Sequence, residues 1–460
     1  MLKRMLIAGL CLGGLFVSDS AFAGGPLLVG GPQHGHPGQP FIWNPARMPI
    51  QYRVDPGPLA VNPSGQVLFD NASGLQRLQG IVAPWQNVAT AAVSFANAGS
   101  ILPAGSYTGG DITTAAQFNA VMGSCNAGTQ SPVIFDADAG IMTALGLPSG
   151  VIGITSHCAL DEVNGFILSA AILVNGRFID GVNTAPNFEL TANEFDESFT
   201  HEFGHLLGLD HSQINVELLQ HTGSTCEPDL LAGLPVMFPQ ELCQARKDAG
   251  LAVLSQDDIA WISALYPDAQ TPNVYGLISG VIYFSDGTSH VQGVNVIARA
   301  VDDPATPEDE SRRTAFSAVS GYLFTSNPGQ SVTGDNTGGN KSGSRDPQLI
   351  GYYQIPVRAG TYTVEVQSIN ASFTAGSSVG PLKPPVPMPG VAEFWNNQES
   401  PFDFPQQRDT IAVHPGDHIT GIDIILNATP PRFDQFEDGA LLLAPTRRNP
   451  SVGDFGWGAQ

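Results

Sequence analysis

A chain of 460 residues with 13% charged residues and a formal net charge of −23 has room for a large core, and its length favours two or more domains. So acidic a surface argues against nucleic acid and anionic membranes as partners, because both would repel it. No apolar run approaches the ~18 residues needed to cross a bilayer, so no transmembrane segment is expected.

Residues 1–23 read as a cleaved secretory signal. "MLKRM" is a short basic start, "LIAGLCLGGLFV" is an apolar run, and "AFA" ahead of Gly24 is a small-x-small cleavage site. Removing them takes away Lys3, Arg4 and Asp19, moving the formal charge from −23 to one unit more negative. The expected location is outside the cell, with periplasm or cell surface as variants. The remaining cysteines, Cys125, Cys158, Cys226 and Cys243, suit two disulfides better than a zinc cluster, since no CxxC pair occurs. Of the three connectivities, the shortest loops predict 125–158 and 226–243.

Residues 24–45 are rich in Gly and Pro and read as a flexible arm, with His34 and His36 solvated. "PIQYRVDP" alternates as a strand does, and the run from Leu75 to Phe95 has apolar residues three and four apart, as in an amphipathic helix. Three β-rich runs come next, "SPVIFDAD", "GVIGITSH" and "GFILSAAILVNGRFIDG", the last with a candidate hairpin turn at Asn175-Gly176. Thr191 and Glu194 make a capping-box pattern opening a helix to about Leu207, and Ser255 with Asp258 opens a second that Pro267 stops. Mixed strands with these helices predict an α+β domain over 46–268, able to fold without the downstream region. After a linker at 269–275, short strands separated by Gly, Pro and Asp predict an all-β sandwich over 276–427, interrupted by a Gly/Ser-rich insertion. Residues 428–460 read as a tail.

The chemistry concentrates in "FTHEFGHLLGLDHS". On a helix, His201 and His205 are one turn apart and face the same way. Gly208 can take a left-handed conformation that ends the helix and brings His211 round as a third ligand. Three neutral imidazoles suit Zn²⁺ and leave a fourth position for water. Glu202 points to one side, placed to accept a proton from that water without binding the metal. HExxH alone occurs by chance, but the long form HExxHxxGxxH fixes five residue types and is expected by chance in on the order of 10⁻⁵ of such chains. His157 and His221 read as ordinary. Asp136 and Asp138 suggest either Ca²⁺ ligands or a tight acidic turn, since a full set of oxygen ligands is not in view.

With these residues the chain resembles the metzincin zinc endopeptidases, and Ser212 directly after the third histidine resembles their matrixin branch, in its bacterial form. The resemblance implies a methionine turn at Met237 in "LPVMFP", a hydrophobic floor beneath the metal. It also implies a closing helix in "LSQDDIAWISALYP" whose Asp257 and Asp258 hold that turn. It covers roughly residues 43–268. The Cys-containing latency motif of animal matrixins and their second zinc pattern are absent. The downstream region is similar to carboxypeptidase regulatory-like β-sandwiches through Gly280, "SDGTSHVQGVNVIAR" and "GYYQIPVRAGTYTVEV".

Two functions compete. The first is a secreted, monomeric zinc endopeptidase acting on extracellular proteins or peptides, for which the resemblance implies a substrate extended along an edge strand such as "GVIGITSH". The second is a binding or adhesion protein in which the sandwich is the working part. The complete ligand set and the retained Glu202 favour the first.

Overall fold

The computed structural model describes residues 24–31, 34–183, 188–223, 225–324, 343–369 and 393–427. The expected signal segment, the tail and most of the Gly/Ser-rich insertion lie outside these residues.

The first unit is built in chain order from strands β1 (Ile42–Trp43), β2 (Ile50–Val54) and the hairpin β3 (Ala60–Val61) with β4 (Val67–Phe69). Helix α1 (Asn71–Gln86), β5 (Phe95–Ser100), α2 (Ala115–Asn126), β6 (Pro132–Asp136), α3 (Gly140–Ala144), β7 (Gly153–Asp161) and β8 (Phe166–Asn175) come next. Helices α4 (Ala192–Leu206), α5 (Pro228–Gly233) and α6 (Gln256–Leu265) complete it. Strands β5, β2, β6 and β8 run parallel in that order, with β1 also parallel to β8. Strand β7 is antiparallel to β8 and lies at the edge. All five residues of β6 are buried, as expected of a parallel strand covered on both faces.

Helix α4 packs its apolar stripe Phe195, Phe199, Phe203 and Leu206 into this core, all four at 2% exposure or less. The spacing is that of one helical face. Phe203 meets Tyr52 and Phe95 edge-on at ring-centroid distances of 5.8 and 5.4 Å. Its start is the capping box read from the sequence. The Thr191 hydroxyl accepts from the Glu194 amide, and the Glu194 carboxylate accepts from the Thr191 amide.

Three expectations are corrected. Residues 24–31 and 34–45 do not form a free arm. Leu27, Val29 and Phe41 are buried, His34 is buried with them while His36 is exposed, and Gly30 donates to the carbonyl of Gln39. Apolar side chains among the glycines give this stretch a face to bury. The helix predicted over 75–95 begins earlier and stops at Gln86, where Asn87 caps it, and Phe95 opens β5 instead. Asn175-Gly176 makes no hairpin, because the Asn175 side chain accepts from the Arg177 amide and starts a short 3-10 turn. The hairpin lies between β7 and β8, where the Asp161 carboxylate accepts from the amides of Val163 and Asn164.

Downstream lie β9 (Tyr275–Tyr283), β10 (Val294–Ala300), α7 (Glu310–Arg313), β11 (Ala315–Val319), β12 (Tyr352–Arg358), β13 (Gly360–Ser368), β14 (Glu393–Phe394), β15 (Ile411–Val413), β16 (His418–Ile419) and β17 (Ile424–Ile425). One sheet joins β10 to β11 and β13, and β13 to β14 and β15. The other joins β9 to β12, β16 and β17. Ile278, Ile282 and Ile355 of the second sheet and Val296, Phe316 and Val364 of the first are all at 0% exposure and belong to one cluster that extends into the first unit.

The two units share a buried boundary. Trp261 of α6 donates its indole N–H to the carbonyl of Ser317 in β11, and Asp257 accepts that residue's amide. Arg312 and Arg313 of α7 pair with Glu227, which precedes α5, and Asp229 in its first turn.

Replacing Thr191 by Ala removes half of the capping box, and such losses cost about 1 kcal/mol. Denaturant unfolding of the Thr191→Ala protein should show a loss of that size with an unchanged denaturant slope. No loss would mean that packing alone holds the start of α4.

Candidate metal centre

The last turn of α4 is held by its carbonyl groups, which a helix end leaves without intrahelical partners. Trp43 donates its indole N–H to the carbonyl of Leu206 at 2.7 Å, and the Tyr266 hydroxyl donates to that of Leu207 at 2.6 Å. Trp85 donates to the Thr200 carbonyl one turn earlier. His157 of β7, expected to be ordinary, donates Nε2–H to the carbonyl of His205 at 2.9 Å. Desolvation pulls its pKa down to about 4, so it stays neutral in this contact. Gly208, at φ +92°, then turns the chain back as only a residue without a Cβ does cheaply.

This turn brings His201, His205 and His211 together. The Nε2 atoms of His201 and His205 are 2.9 Å apart, and those of His205 and His211 are 3.1 Å apart. Nδ1 of His201 faces the Val236 carbonyl at 2.7 Å, and Nδ1 of His205 faces the Leu209 carbonyl at 2.9 Å. A carbonyl accepts only, so both Nδ1 atoms carry the proton and both Nε2 atoms present lone pairs. Burial lowers the pKa of His201 to about 4, and burial together with the neighbouring histidines holds those of His205 and His211 well below the usual imidazole range, which keeps all three neutral. Lone-pair nitrogens this close repel unless a cation lies between them. Tetrahedral bonds of ~2.0–2.1 Å would place them about 3.3 Å apart, close to what is found. The three histidines can hold a metal ion.

Glu202 stands outside this set. Its Oε2 accepts from the Thr155 hydroxyl on β7 at 2.6 Å. Ile152, Gly153, Val174, Phe195, Ser198 and Phe199 line the crevice around it. Burial pushes the carboxyl up to about 7, against the Thr155 hydroxyl, which pulls it down. Thr155 carries no sign of this role in the sequence, because a threonine in a strand reads as β-propensity and nothing more.

Met237 is buried at 2% exposure, and its carbonyl accepts from the amide of Ser212, next to His211. A Cβ on Gly204 would come 2.2 Å from its sulfur, so the glycine inside "HEFGH" is required by this contact. The turn carrying Met237 is tied down by Asp258, whose Oδ2 accepts from Val236 and whose Oδ1 accepts from Met237. The same carboxylate accepts from the Ser255 amide, so it both caps α6 and holds the turn. Cys226–Cys243 spans this loop and Cys125–Cys158 joins α2 to β7, the pairing expected from the shortest loops. Arg246, unremarkable in sequence, is buried and donates to the carbonyls of Leu231, Ala232 and Leu234.

Asp136 accepts from the amides of Ile141 and Met142, and Asp138 from that of Gly140. That is the tight acidic turn of the two readings. His221 is not drawn into the cluster. Among the described residues no helix is long and apolar enough to cross a membrane. Comparison of the chain with protein-family models, with curated proteins and with solved structures returns no match.

Burial and the neighbouring Asp258 push the Asp257 carboxyl up from 3.8 to about 8. Across that window the folded chain holds a proton that the unfolded chain has released, so stability falls as pH rises. Asp257→Asn keeps an oxygen for the Ser317 amide and removes the ionisation. Melting temperatures of variant and parent, taken between about pH 5 and pH 8, should show the variant gaining on the parent as pH rises. Parallel curves would mean that Asp257 is ionised in the fold.

Proposed function

We propose that the protein is a zinc-dependent endopeptidase built like a matrixin-type metzincin, with a β-sandwich behind it, acting on proteins or peptides outside the cell. One observation carries this reading. Three imidazole nitrogens converge on one point, while the glutamate next to the first of them is held outside the ligand set. Such an arrangement separates the residues that hold an ion from the residue that moves a proton.

Three nitrogen ligands favour Zn²⁺ with an open fourth position over the oxygen-seeking Ca²⁺ or Mg²⁺. A zinc ion held there would polarise the scissile carbonyl and acidify water. Glu202 would take the proton of the attacking water and pass it to the leaving amine, and a carboxyl poised near neutrality suits both steps. Thr155 would hold that carboxylate in place between them. Edge strand β7 pairs with β8 on one side, so its other side offers backbone groups to an extended peptide, the strand-addition mode of recognition. Two disulfides suit an oxidising compartment.

Glu202→Gln and His205→Ala should fail in different ways. The amide variant should keep its zinc and melting temperature and lose at least ~10²-fold in peptide hydrolysis. His205→Ala should lose zinc together with the folding energy that binding supplies. Metal analysis, a melting curve and an assay on casein with and without chelator separate them. A verified Glu202→Gln protein that hydrolyses peptide at the parent's rate would end this mechanism.

A further inference from the structure

The three histidines are not equally anchored. His201 and His205 each have a carbonyl on Nδ1, whereas Nδ1 of His211 is buried and finds no hydrogen-bond partner among the described residues. His201 and His205 also ride on a helix, while His211 lies beyond the Gly208 turn. Its orientation is therefore set by its own backbone, and so by the contacts that hold residues 212–215.

Those four residues are at 1% exposure or less, and each meets the downstream sheets. The Ser212 hydroxyl is 3.2 Å from that of Ser317. The Gln213 carbonyl accepts from the Asn295 side chain at 3.1 Å. Ile214 is buried in a cluster with Ile297 and Ala315. Asn215, in the left-handed region at φ +59°, accepts from Arg299 at 3.0 Å and donates to the carbonyls of Leu230 and Arg312. Arg299 is itself fixed by an ion pair with Glu365 at 2.6 Å.

The contacts obey the two-residue period of a strand. In β10, Val294, Val296 and Ala298 join the main core, while Asn295, Ile297 and Arg299 meet the loop. In β11, Phe316 and Ala318 join that core, while Ala315 and Ser317 meet the loop and α6. The outer face of this sheet is thus shaped to the metal site. We infer that β10 and β11 are the platform that sets the third metal ligand, with Asn295 and Asn215 as positioning residues for His211. This rests on an ion being held at the three histidines, and not on peptide hydrolysis.

The test uses the full chain. Asn295→Ala removes the donor to Gln213, and its Oδ1 has no partner to lose. Asn215→Gly keeps the left-handed backbone and removes the side-chain ties. Val296→Ala is the control, on the same strand but facing the core. Zinc dissociation constants from chelator competition, the visible spectrum of the cobalt-loaded proteins and melting temperatures are measured for all three and the parent. Loss of groups that orient metal ligands weakens affinity by about 10–100-fold, and about tenfold is expected for Asn295→Ala and Asn215→Gly, with an altered cobalt spectrum. Val296→Ala should melt lower while keeping the parent's affinity and spectrum. Parent-like affinity and spectrum in both asparagine variants would overturn the inference, as would a parent that takes up neither metal. A parent that binds metal but cleaves no peptide, with both variants binding more weakly, would sink the peptidase reading and leave this inference standing.

Discussion

Three neutral imidazoles crowded tip to tip are the constraint on which the rest depends. The lone pairs of His201 and His205 repel at 2.9 Å, and burial removes the water that would otherwise screen them. The fold supports that arrangement with ordinary hydrogen bonds. Carbonyls on two Nδ1 atoms set the tautomers, and donors from Trp43, Tyr266, Trp85 and His157 stiffen the helix end that carries them. A metal ion held there would turn the repulsion into binding energy, and stability would then be coupled to metal occupancy.

Much of this was legible because local rules and tertiary contacts agree. Thr191 and Glu194 are a capping box by spacing and in space, and Gly208 ends α4 where the HxxGxxH pattern requires it. Helix α2 carries the same kind of signal at Thr114 and Gln117, and attention to that T-x-x-Q would have found it. Other features had no local signature. Gly204 is small because Met237 from another loop presses on it, and Thr155 matters because β7 happens to lie beside Glu202. Such contacts join residues far apart in the chain, where periodicity carries no information.

The second gap concerns the boundary between units. Composition changes sharply after Asp268, and composition is a fair guide to linkers. It says nothing about which face of a strand is buried, and alternation in β10 reads the same whether its outer residues meet solvent or protein. Asn295, Ile297 and Arg299 look like a polar, partly exposed face in sequence. In the structure they are the wall behind the loop that follows His211.

That wall has a consequence for how such a protein changes over generations. Ser317 gives its carbonyl to Trp261 and its amide to Asp257, so one strand residue is read by two side chains of another unit. Exchange of the downstream sheets for those of another protein would keep the linker and lose this match. Trp261, Asp257 and Asn215 are thus matched to β10 and β11 by contact, and a substitution on one side alone leaves a buried polar group without its partner.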